Sequence, residues 1–148
     1  MSRVIAGKSA PQAERVVYGK LLIAGLVALV GSVIGNLLVR VIAVALLRPD
    51  PAFLPLGWGP PIVFTVIGVV GAIGVYALLG RFASRPITLF RRVALVVLLI
   101  SMIPDLLLIA NPAGMPGATT GNVIALMVMH VVAWYITVEA LTRLAGER

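Results

Sequence analysis

The sequence predicts an all-α polytopic membrane protein, a single domain over residues 1–148 that forms a four transmembrane helix bundle with both termini cytoplasmic. Three observations carry this expectation. Of the 148 residues, 61% are hydrophobic and 11% charged, against roughly 25% charged in a soluble domain, and mean hydropathy is +1.12. The apolar residues fall into four runs, each near the roughly 20 residues a helix needs to cross the hydrocarbon core. The basic residues gather at alternate connections. No alternating pattern suggests a barrel, and lipid admits only helices or closed barrels.

The first span is placed at 20–47, and Arg48-Pro49-Asp50-Pro51 closes it. Its apolar stretch is far longer than the roughly 7 to 15 residues of a signal core and lacks a convincing cleavage site, so the helix is expected to be retained. The second span, 61–80, is opened by Pro60 and Pro61, since proline in a first helical turn forgoes only a donor that had no intrahelical acceptor. The third, 92–110, stops at Asn111-Pro112, and the fourth, 122–143, has Thr120 or Asn122 as candidate cap.

Charge sets the orientation. Arg3, Lys8, Arg15 and Lys20 precede the first span, Arg81, Arg85, Arg91 and Arg92 lie around the middle loop, and Arg143 and Arg148 end the chain. The first and third loops contribute only Arg48. The positive-inside rule therefore puts both termini and the middle loop on the cytoplasmic side of a plasma membrane. The net charge of +7 is spent on topology, and no nucleic-acid partner is expected. The middle loop, with Phe82, Leu89 and Phe90 among its arginines, is suited to lie on anionic headgroups. The chain has no cysteine, which excludes disulfides, thiolate metal sites and thiol catalysis.

Within this frame the polar residues of the spans stand out. An ionisable group at the bilayer centre costs about 2.5 to 3.5 kcal/mol, so such groups are usually paired or functional. Asp105 lies in the third run with Ser101 one turn away. Arg40 shares a face of the first helix with Asn36 and Ser32, Thr65 lies one turn into the second, and His130 shares a stripe of the fourth with Asn122, Leu126 and Trp134. The topology brings Arg40, Asp105, His130, Asn36, Ser101 and Thr65 to the outer half of the bundle as a candidate polar cluster. An ion pair between Arg40 and Asp105 is the economical reading, because each charge lowers the cost of burying the other. Two alternatives stay open for Arg40: snorkelling to the headgroups and contact with another subunit.

Pro104 predicts a kink, since it removes the hydrogen bond that the carbonyl of Ile100 would have accepted. A kink beside a carboxyl suits either a broken helix lining a cavity or a paired carboxyl that stabilises a bend. His130 is the single histidine. It reads as a neutral imidazole bonded to a neighbouring helix, a proton carrier, or the single ligand of a tetrapyrrole. Met127 and Met129 do not complete a haem site, because ligands on one helix cannot reach both faces of a porphyrin. No other cofactor and no metal site is expected.

Gly31 and Gly35, with Gly25 and Ala28 nearby, and Gly68 and Ala72, with Gly71 and Gly74, form small-residue faces. These let helix backbones approach where lipid gives no hydrophobic drive. They are expected to join the first two helices, or else to form a homo-oligomer. No phosphate loop, metalloprotease motif, carboxylate pair or Ser/His/Asp set is visible, which disfavours an enzyme.

The stretch from the middle loop onward, with Arg85-Pro86, Phe90-Arg91-Arg92, Leu98-Leu99, Ser101 and Pro104 and then Leu126, Met129-His130 and Ala133, resembles an uncharacterised family of bacterial four-helix membrane proteins. That family is common in actinobacteria and is catalogued only as a domain of unknown function. The resemblance implies four helices in a bacterial membrane and supplies no activity. Three classes of function follow from the residues. The first is a structural or accessory subunit that assembles with itself or in a larger membrane complex. The second is a small proton-coupled transporter using Asp105, His130 and Arg40, and the third is a lipid-modifying or cofactor-binding protein. A cavity connecting Asp105 and His130 to the outside separates them.

Overall fold

The computed structural model describes residues 13–147, so Arg3, Lys8 and Arg148 lie outside the described residues. The helices are α1 (Tyr18–Leu47), α2 (Gly59–Phe82), α3 (Pro86–Ser101), α4 (Ile103–Ala110) and α5 (Thr120–Leu144). They form four membrane-length spans, α3 and α4 together making the third. The four-helix expectation is borne out. A two-residue antiparallel pairing of β1 (Arg15–Val16) with β2 (Gly146–Glu147) was not expected from the sequence. It is extended by Val17 N–H donating to the Ala145 carbonyl at 2.8 Å and by Lys20 beside Glu147 at 3.6 Å.

The helix ends follow from local chemistry. After α1, Arg48 adopts a left-handed conformation (φ 45°, ψ 58°), which stops the helix ahead of Pro49. The turn beyond is held by Asp50 Oδ1, which accepts from Ala52 N at 2.8 Å, and leads into a 3-10 turn at Leu54–Leu56. Prolines stand in the first turns of α2, α3 and α4. The cap of α5 is Thr119, not Thr120 or Asn122. Thr119 has the extended backbone a cap requires (φ −130°, ψ 155°) and accepts from Asn122 N at 3.2 Å. Asn122 turns its side chain back to the Gly117 carbonyl.

Helix α1 makes its most extensive contact with α5 and its next with α2. The expected pairing of glycine faces between the first two helices is corrected by this arrangement. A Cβ on Gly31 would stand 3.0 Å from Ile136 Cγ2, and one on Gly35 would stand 2.9 Å from Val132 Cγ1, so both glycines admit α5. Only Gly25 serves α2, opposite Ile73. Among the described residues, nothing lies within 4 Å of where a Cβ on Gly68, Gly71 or Gly74 would stand. The α1–α5 seam also carries Ser32 Oγ bonded to Thr137 Oγ1 at 3.2 Å, and the α1–α2 seam carries Asn36 Nδ2 donating to Thr65 Oγ1 at 2.8 Å. Helix α3 buries only Pro86, Ile87, Phe90 and Leu98, with Phe90 against Tyr76 of α2 at a ring separation of 4.8 Å.

Candidate functional site

The third span breaks where Pro104 predicts. Helix α3 ends at Ser101, Met102 N–H reaches the Leu98 and Leu99 carbonyls at 3.2 and 3.3 Å, and Ser101 Oγ donates to the Leu98 carbonyl at 2.7 Å. A new helix then starts with Pro104 in its first turn, where a missing N–H costs nothing. The break gives Asp105 a favourable place, since it stands in the first turn of α4, near the positive end of that helix dipole.

Asp105 is 7% exposed and faces α5, where His130 Nδ1 lies 3.3 Å from Asp105 Oδ2. The same Nδ1 is 2.9 Å from the Leu126 carbonyl one turn earlier. Two acceptors flank it, so Nδ1 carries the hydrogen and Nε2 is the basic nitrogen. The N–H is aligned on Leu126, because Asp105 Oδ2 takes no aligned hydrogen bond. The Asp105 carboxyl therefore faces the ring at contact distance without an aligned hydrogen bond between them.

Arg40 stands elsewhere, and the ion pair with Asp105 is not formed. Its Nε donates to the Leu56 and Gly57 carbonyls at 2.9 and 3.2 Å, and its guanidinium lies over the Trp58 ring, 3.7 Å from the centroid. The irregular chain between α1 and α2 offers main-chain carbonyls that a planar, delocalised cation satisfies while stacking. Arg40 is thus a latch on that connection. Arg40→Ala is expected to lower unfolding free energy by about 2 kcal/mol, with Arg40→Lys restoring less than half because an ammonium cannot both stack and reach both carbonyls. Denaturation in detergent followed by circular dichroism checks this, and full rescue by lysine would count against the latch.

The expected cluster therefore separates into parts: Asp105 with His130, Asn36 with Thr65, Arg40 on the loop, and Ser101 on its own helix. Four of these, Asn36, Thr65, Ser101 and His130, are reunited by a feature that the sequence did not reveal. A half-open groove of about 800 Å³ runs between α2 and α3 and is floored by α5. Gly68, Gly71 and Val75 form part of one wall, Val93 and Val97 part of the other, and Met129 and Ala133 part of the floor. Arg40 and Asp105 do not line it. The signal that could have found the groove was the open glycine face of α2, which spacing alone assigned to packing. Among the described residues, no group of three or more metal-ligating side chains comes together.

No curated protein and no solved structure matches the chain. A family model, described as a family of unknown function (DUF6069), matches residues 12–147. That match bears out the resemblance to a four-helix family without an assigned role. The chain belongs to DUF6069.

Proposed function

We propose that the protein holds an amphipathic, lipid-like molecule that enters sideways from the bilayer into the groove between α2 and α3. The observation that carries this reading is the groove itself: about 800 Å³, within the roughly 300 to 1,000 Å³ of small-molecule sites, with apolar walls and few polar groups. An apolar chain lies along Val75, Val93 and Val97, and the polar end meets His130, whose tautomer is fixed by Leu126 and Asp105. The basic residues Lys20, Arg81, Arg85, Arg91, Arg92 and Arg143 favour a cytoplasmic position for the termini. A proton-coupled carrier would want Asp105 and His130 on one water route. Only His130 lines the groove, so lipid binding is the better supported reading.

Gly68→Leu tests it, since the new side chain enters open space and fills the groove without straining the bundle. Retention of co-purifying lipid, read by native mass spectrometry, is expected to fall about tenfold, equivalent to about 1.4 kcal/mol, with the melting temperature unchanged. Equal retention by the parent and the variant would sink the proposal.

A second reading is supported by the same open face of Gly68, Gly71 and Gly74, which suits a helix of another copy. The protein would then be a self-assembling or accessory subunit. Particle mass in detergent separates the two readings: under self-assembly Gly68→Leu converts an oligomer into the 15.5 kDa chain, and under lipid binding it leaves the mass of the protein component unchanged.

A further inference from the structure

A second cavity lies on the other side of α3. It has about 320 Å³ between α3 and α5 and is lined by Arg91, Arg92, Leu95, Trp134, Val138 and Glu139. Its walls divide by chemistry. Leu95 and Val138 are apolar, whereas the end toward the chain termini is crowded with charge.

Arg91 is held in place from behind: Nη2 reaches Thr142 Oγ1 at 3.1 Å and Glu139 Oε1 at 3.5 Å. Glu139 is shared with Arg143, whose Nε contacts Oε2. Arg92, exposed on the wall, has no partner among the described residues. Two guanidinium groups thus contact one carboxylate while a third, that of Arg92, lines the same cavity unpaired, and the excess is positive. Among the described residues, Arg91 Nε and Trp134 Nε1 are buried donors without an acceptor, against one buried acceptor without an aligned donor, Glu139 Oε2, which Arg143 engages by charge. Donors outnumber acceptors at this seam. A buried donor left unmatched is costly, and an acceptor at this seam relieves that cost.

We propose that this seam is a second binding site, which takes the phosphate of an anionic phospholipid at Arg91 and Arg92 and the start of its acyl chains against Leu95 and Val138. Basic pockets between membrane helices suit such headgroups. The position fits, because Arg91 and Arg92 stand in the second turn of α3 and Arg143 in the last turn of α5, where the ends of spanning helices meet the headgroup layer. Glu139 opposes an anion, but its charge is engaged by Arg91 and Arg143, and it keeps Arg91 turned along the wall. The site shares only Trp134 and Val138 with the groove and stands whether or not the groove binds lipid.

The chain has two tryptophans, so Trp58→Phe leaves Trp134 as the sole indole reporter. In bilayers carrying a minor fraction of brominated lipid, brominated phosphatidylglycerol is expected to quench Trp134 with about fivefold greater effective affinity than brominated phosphatidylcholine, as one basic contact at the surface predicts. Arg92→Gln should remove that preference and Arg92→Lys keep most of it, and added salt should weaken it. Arg92 is exposed and unpaired, so its replacement leaves the bundle intact, which a melting curve confirms. Gly68→Leu should leave the preference unchanged. Equal quenching by the two lipids, or a preference that survives Arg92→Gln, overturns the site. Displacement of the lipid by inorganic phosphate at constant ionic strength would reassign it to a free anion, and loss of the preference in Gly68→Leu would merge it with the groove; either also overturns the proposal.

Discussion

Gly35→Leu is expected to lower the unfolding free energy by about 3 kcal/mol, at the upper end of what overpacking costs. A Cβ at this position already stands 2.9 Å from Val132 Cγ1 and 3.0 Å from Ile136 Cδ1. Val132 is β-branched and stiff at χ1, so its Cγ1 cannot swing aside cheaply, and the rest of a leucine side chain would press on Ile136 beyond it. The strain is relieved by moving α1 off α5, which also stretches the Ser32 to Thr137 contact, 3.2 Å in the parent. Gly71→Leu is the control: the same change on α2 meets nothing within 4 Å and is expected to leave stability within about 0.5 kcal/mol. Unfolding in mixed micelles followed by circular dichroism measures both, and similar melting of the two variants would refute the assignment of Gly35 to the α1–α5 seam.

His130→Phe should cost about 2 kcal/mol while Asp105→Asn costs well under 1, and the double variant should recover part of the loss. The asymmetry follows from what each change leaves behind. Without His130, the buried Asp105 carboxyl loses the polar group that faces it and is left unmatched among apolar side chains, which costs more than losing both groups. Without the carboxylate, the imidazole keeps its hydrogen bond to the Leu126 carbonyl, 2.9 Å away. A double-mutant cycle measured by the same unfolding assay reads the coupling directly. Additive single effects would mean that the 3.3 Å contact carries no energy.

The four spans were legible because burial in lipid constrains every residue of a run, and composition records that constraint without any knowledge of neighbours. The proline-marked ends and the break before Asp105 were legible for the same reason, since a missing N–H is a property of one residue. What escaped the sequence depended on partners. Arg40 is satisfied by the main-chain carbonyls of Leu56 and Gly57, which carry no side-chain signature. The glycines announced close approach without saying to which helix: Gly31 and Gly35 admit α5, while Gly68 and Gly71 face the groove. The β1–β2 pairing is two residues long on each strand, too short for any pattern. The groove is a space between elements, and it gathers four members of the polar set while Arg40 and Asp105 stay outside it.

The most extensive helix contact joins the first span to the last, and this constrains the order in which the bundle is completed. A chain is inserted as it is made, from the N-terminal side. While α2 and α3 emerge, α1 can satisfy Asn36 through Thr65, but Ser32 waits for Thr137 and the glycine face waits for Val132 and Ile136. Closure comes only when α5 arrives, and the pairing of Arg15 with Glu147 then ties the two spans at their base. Until that moment α1 to α4 stand in the membrane with the face of α1 that α5 will cover still open.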